Sequence, residues 1–101
     1  MVSIMNCKEF ENIFKNNVSI IDLRDKEDFL ESHIPNSKNV NHIDLVLNPD
    51  KYLLDDDINY LICDRGEVSN NVIKLLSNTK FKLVNIIDGF DSWKGPTTSL
   101  S

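Results

Sequence analysis

Only two cysteines, Cys7 and Cys63, occur among the 101 residues, and they form no CxxC pair. That excludes a disulfide-built scaffold and a dithiol redox motif. In a reducing compartment a solitary thiol is either packing material or a reactive group. His33 and His42 are the only histidines, and neither stands at ligand spacing from a cysteine, which argues against a zinc site. Basic residues are scarce as well. Eleven Lys and Arg against 16 Asp and Glu leave a net charge of −5, the wrong sign for gripping a phosphate backbone. No apolar run approaches the roughly 20 residues that span a bilayer. The opening MVSIMNCKEFENIF has neither the basic head nor the continuous apolar segment of a signal peptide. Repeats, linkers and low-complexity stretches are also missing. What remains, 41% apolar and 27% charged, is the composition of a globular domain. The expectation is one domain over residues 1–101, cytoplasmic, with neither nucleic acid nor membrane as partner.

The elements that are present alternate. Asn6 followed by Glu9 has the pattern of a capping box, and Phe10, Ile13 and Phe14 then mark one helical face. VSIIDLR, residues 18–24, is a short β-branched run that predicts a buried strand. A short acidic helix from Asp25 stops before Pro35. KNVN predicts a brief strand and HIDLVLN a short helix ended by Pro49. INYLIC, residues 58–63, is the next buried strand, followed by a helix that Ser69 caps and that carries Val72, Ile73, Leu75 and Leu76. FKLVNIID, residues 81–88, is the last strand, and Gly89 turns the chain into a final helical turn at DSWK. The acidic cluster Asp55 to Asp57 is a solvated loop. Strand–helix alternation with strands apolar on both faces predicts an α/β fold, a central parallel sheet of about five strands with helices on both faces. Ligands of such sheets bind beyond the carboxyl ends of the strands, where Asp22, Arg24, Cys63 and Asp88 all fall.

Cys63 closes its strand, and Asp64 to Val68 form a loop with Gly66 near the middle. A loop that runs into a helix start gathers unpaired main-chain N–H groups, and the helix dipole adds positive potential there. An anionic sulfur at that point is favoured and becomes a nucleophile. Glycine at position 66 suits the unusual backbone angles of a tight loop. Cys7, by contrast, reads as a packing residue near a helix start, and His42 as a surface residue.

Three pieces in this order and spacing resemble the rhodanese-like domain family. IDLRDKEDFLESHIPNSKNV resembles its first signature, with Asp22, Arg24 and the His33-Ile34-Pro35 triplet in register. CDRGEVS resembles its active-site loop, starting at the catalytic cysteine with Gly in the fourth position. DGFDSW resembles its closing signature, with Gly89 and Trp93 in place. The resemblance implies a rhodanese fold and a sulfurtransferase. Cys63 takes a sulfane sulfur from a donor, thiosulfate or a persulfide, holds it as a persulfide and passes it to a thiol or cyanide. The amides of Asp64, Arg65, Gly66, Glu67, Val68 and Ser69 bind the sulfur anion. Asp22, Arg24, His33, Gly89 and Trp93 support the loops, and no metal or organic cofactor is required. The partners implied are a small sulfur donor or acceptor, or a protein bearing a persulfide.

Val68 stands where many family members carry arginine, and Asp64 and Glu67 add negative charge beside the thiol. Both features disfavour a dianion such as thiosulfate and favour a persulfide donor. They also define the alternative, a rhodanese-like binding or regulatory module that has lost catalysis. Phosphatases and arsenate reductases of related fold end a longer loop in arginine. Val68 and Ser69 cannot clamp an oxyanion in that bidentate way.

Overall fold

A computed structural model describes residues 1–100; Ser101, the last residue of the expected domain, lies outside the described residues. Its centre is a five-stranded, wholly parallel sheet in the order β1-β5-β4-β2-β3. The strands are β1 (Val2–Met5), β2 (Ser19–Asp22), β3 (Lys38–Asn39), β4 (Ile58–Ile62) and β5 (Lys82–Ile86). The helices are α1 (Cys7–Phe10), α2 (Lys26–Glu31), α3 (His42–Leu47), α4 (Pro49–Tyr52) and α5 (Glu67–Leu76), with a 3-10 turn at Phe90–Ser92.

Alternation along the strands divides the core between the two faces of the sheet. Ile21, Leu61 and Leu83 pack with Leu45 of α3 and Val72, Ile73 and Leu76 of α5. Ile20, Tyr60, Ile62, Val84 and Ile86 pack with Phe10, Phe14 and Trp93. The sheet is therefore covered on both sides, which is why its strands read as continuous apolar runs. Polar groups inside it are satisfied: Asn59, fully buried in β4, bonds the Leu54 N–H and the Leu54 and Lys82 carbonyls.

Most elements stand where the sequence places them, and the Asn6–Glu9 capping box is complete on both sides. Four details differ. Pro49 does not merely follow α3; it opens α4, because a first-turn proline lacks only an N–H that has no helical partner anyway. Gly66, at φ +92°, occupies the position before α5, so Ser69 lies in the helix's first turn rather than capping it. The last turn spans Phe90–Ser92 and leaves Trp93 outside. The fourth is β1, absent from the sequence reading. It is four residues long, its apolar side chains are largely exposed, and its partner β5 lies some eighty positions along the chain.

Candidate active site

Cys63 follows the last residue of β4, a central strand, and its side chain is 2% exposed. From there the chain turns through Asp64 and Arg65 to Gly66 and enters α5. The turn forces a left-handed conformation at Gly66, and a Cβ there would overlap the Ile87 carbonyl. Glycine is thus required both by its angle and by the close approach of β5's end. The turn folds two amides back onto the sulfur. The Gly66 N–H donates to Cys63 Sγ at 3.2 Å and the Ser69 N–H at 3.3 Å. Both belong to the unpaired start of α5, so the positive end of a ten-residue helix faces the thiol.

A side-chain relay continues behind the sulfur. The thiol donates to Ser69 Oγ at 3.3 Å, and Ser69 Oγ lies 2.7 Å from Asn85 Oδ1 and 3.2 Å from the Gly66 carbonyl. One hydroxyl proton serves one acceptor at a time, and the Asn85 contact is the shorter. Asn85, buried in β5, was missed from sequence. The signal was present: a lone amide inside the apolar run FKLVNII.

In front of the sulfur is a cleft of about 160 Å³ lined by Cys63, Asp64, Arg65, Glu67 and Val68. Arg65 is 79% exposed and its Nε binds Asp91 Oδ2 at 3.2 Å, so the loop's single cation is partnered by a carboxylate from the closing turn. Val68 is half-buried at the rim. The Asp64 carboxyl is pushed up from its ordinary value, first by partial burial and then by the negative charges of Asp28, Asp91 and Asp22; Arg24 pulls the other way.

Asp22, Arg24 and Gly89 lie around the closing turn, which contacts the Cys63 loop, whereas His33 and Trp93 make their contacts elsewhere. Arg24 forks onto Asp22 through Nε (3.1 Å to each carboxylate oxygen) and through a terminal nitrogen (2.9 Å). The same nitrogen reaches the Ser32 carbonyl, and the guanidinium lies 3.7 Å from the Phe90 ring centroid. The pair thus joins β2, the end of α2 and the closing turn. That turn in turn holds the cysteine loop: the Phe90 N–H donates to the Cys63 carbonyl at 2.7 Å and the Asp91 N–H to the Asp64 carbonyl at 3.0 Å. Gly89, at φ +73° and ψ 178°, touches the Asp64 carbonyl so closely that a Cβ would overlap it. Trp93 is core, edge-on to Phe14, with its Nε1–H on the Pro96 carbonyl. His33 is bonded through Nδ1 to the Phe29 carbonyl at 2.6 Å, stacks on the Phe29 ring and pairs with Thr98 through its backbone. Its contacts therefore pin α2 and the tail.

Cys7 lies under the closing turn. Its N–H donates to Asp88 Oδ1 at 2.8 Å and its thiol to the Gly89 carbonyl at 3.1 Å. Burial, then the neighbouring Asp88 carboxylate and Glu11, push this thiol up to about 12, so it stays protonated at neutral pH. Among the described residues no group of three or more His, Cys, Asp or Glu could hold a metal ion, and no helix is long and apolar enough to cross a membrane.

A five-stranded parallel sheet that presents one cysteine on a loop of inward amides defines a class. The family model described as Rhodanese-like domain matches residues 6–96, and the chain belongs to that family. It is 38% identical over 80 residues to a Bacillus subtilis (strain 168) protein named "Putative sulfurtransferase YtwF", covering 77% of this chain and 75% of the relative. The fold is similar to the crystal structure of a rhodanese-like domain protein from Staphylococcus aureus, with a TM-score of 0.84, 26% identity and complete coverage of both chains. It is also similar to that of a rhodanese-related protein from Thermoplasma volcanium, with a TM-score of 0.85, 24% identity and coverage of 98% and 99%.

Proposed function

We propose that this chain is a sulfurtransferase that carries sulfane sulfur as a persulfide on Cys63, between a persulfide donor and a thiol acceptor. The sulfur of Cys63 attacks the outer sulfur of the donor persulfide. A new S–S bond forms at Cys63, the donor's S–S bond breaks, and the donor leaves as a thiolate that takes a proton from water. An acceptor thiolate then attacks the outer sulfur of the Cys63 persulfide and regenerates the free thiolate. The sulfane sulfur moves without any external oxidant or reductant, in the two half-reactions of covalent catalysis.

The observation that carries this reading is the pair of amides, Gly66 and Ser69, aimed at Cys63 Sγ from a helix start. Donors placed around a sulfur anion need no reorganisation as charge shifts from inner to outer sulfur. The donor preference rests on the mouth of the cleft. Asp64 and Glu67 line it, and Arg65 is occupied by Asp91, so thiosulfate meets no unpaired cation there, whereas a persulfide needs none.

The test is an intact mass after incubation with glutathione persulfide and, separately, with thiosulfate. The expected result is a reducible gain of one sulfur from the persulfide, less from thiosulfate, and none in Cys63→Ser. The occupied Arg65 also favours one competing reading, a binding module without catalysis. A folded protein that takes sulfur from neither donor would establish that alternative.

A further inference from the structure

Beside the sulfur cleft runs a second, larger concavity. Ile43, Val46 and Leu47 of α3 and Val68, Val72 and Leu75 of α5 wall a groove of about 230 Å³. Its rim leaves Ile43 57%, Leu47 71% and Leu75 68% exposed. On α5 the spacing of 68, 72 and 75 puts these residues on one face, which turns from the sheet toward α3. A cluster of large apolar side chains open to water around a groove marks an interaction site more often than an ordinary surface. The groove also adjoins the cleft at Val68, which lines both. The residue in the place of the family's common loop arginine thus forms an apolar threshold between the sulfur and the groove.

Among the described residues no other segment fills this groove. The tail is committed elsewhere, with Thr98 paired to His33 and the Leu100 N–H bonded to the Leu30 carbonyl on α2. At the end where groove and cleft meet, the charges are the exposed carboxylates of Asp64 and Glu67, while Arg65 is held by Asp91. A small anionic donor gains nothing from such a mouth. A polypeptide with apolar side chains for the groove and cationic ones for the carboxylates gains at both places.

We propose that the α3–α5 groove docks a protein partner, seating an apolar side chain next to a cysteine that exchanges sulfur with Cys63 and that is flanked by Lys or Arg. The proposal rests on persulfide chemistry at Cys63 and names the substrate class of that site. The partner's persulfide gives its outer sulfur to Cys63: the S–S bond to Cys63 forms, the partner's S–S bond breaks, and the partner's thiolate takes up a proton.

The probe is a synthetic decapeptide with one cysteine persulfide between leucines and lysines. A control peptide has serines in place of the leucines, and glutathione persulfide reports the chemistry alone. Wild-type protein is expected to use the leucine peptide about tenfold better in kcat/KM, the size of effect that burial of part of an apolar side chain supplies. The double substitution Leu47→Asp with Leu75→Asp should abolish that preference and leave the glutathione persulfide rate within about twofold. Leu47→Ser with Leu75→Ser, a milder pair at the same exposed positions, should act in the same direction.

Equal use of both peptides by wild type, or a loss shared by all three donors in both pairs of variants, would overturn the proposal. So would sedimentation equilibrium showing a wild-type dimer that Leu47→Asp with Leu75→Asp dissociates, since the groove would then belong to a second copy. Failure of the sulfur chemistry is separately visible. If glutathione persulfide leaves no sulfur on wild-type Cys63, docking is read instead from anisotropy of the labelled thiol peptides, where the leucine peptide must bind more tightly than the serine one.

Discussion

At the scale of single residues, the surroundings of each group set its chemistry. Two cysteines in one small chain have opposite environments. Cys63 faces two amides at the start of a helix, whereas Cys7 lies beneath Asp88 with its thiol on a carbonyl. The raised carboxyl of Asp64 has a consequence for stability. A carboxyl that holds its proton more tightly folded than unfolded lowers stability as pH rises through its ordinary range, and the cost persists at neutral pH. Asp64→Asn should therefore raise the melting temperature near neutral pH. The gain should be small, because Asp64 is exposed and screened. It should fade toward about pH 3, where both states are protonated. Calorimetry across that range checks it, and a gain that persists undiminished in acid would point away from charge.

At the scale of elements, the Cys63 loop is shaped by a turn distant from it in sequence. The segment after β5 bonds the carbonyls of Cys63 and Asp64, and Gly89 sits against the Asp64 carbonyl in a conformation essentially reserved to glycine. Alanine there must shift one strand-end loop against the other. Gly89→Ala should cost roughly 1–3 kcal/mol in a urea titration. It should also slow sulfur uptake by Cys63 at least about tenfold under conditions where the variant is fully folded, since misplacement by about 1 Å costs that much or more. Unchanged kinetics in the folded variant would mean that the closing turn does not set the loop. The Asp22–Arg24 fork plays a parallel part from the other side, tying β2 and α2 to Phe90. The signatures at either end of the sequence thus converge on one loop.

At the scale of the whole molecule, the net charge of −5 and the carboxylates lining the cleft set a field that any charged molecule approaching Cys63 crosses. Fields of this kind act on association rates over about 30 Å at 0.01 M salt and about 8 Å at 0.15 M. With thiosulfate, kcat/KM should rise a few-fold over that range as repulsion is screened. With a lysine-flanked peptide persulfide it should fall. Rates measured against ionic strength decide it, and a thiosulfate rate that falls with salt would reveal an attractive mouth instead.

The alternation of most elements and the position of Cys63 at a strand's carboxyl end could be read from the sequence. They depend on local periodicity, on breakers and on motif spacing, which a linear chain displays directly. The edge strand β1, the Ser69–Asn85 relay, the Arg65–Asp91 pair and the α3–α5 groove were decided only by the tertiary structure. Each joins residues remote in sequence, and each depends on which way a side chain turns once helices have packed on the sheet. No single segment carries that direction, because it is set by the neighbours the segment meets.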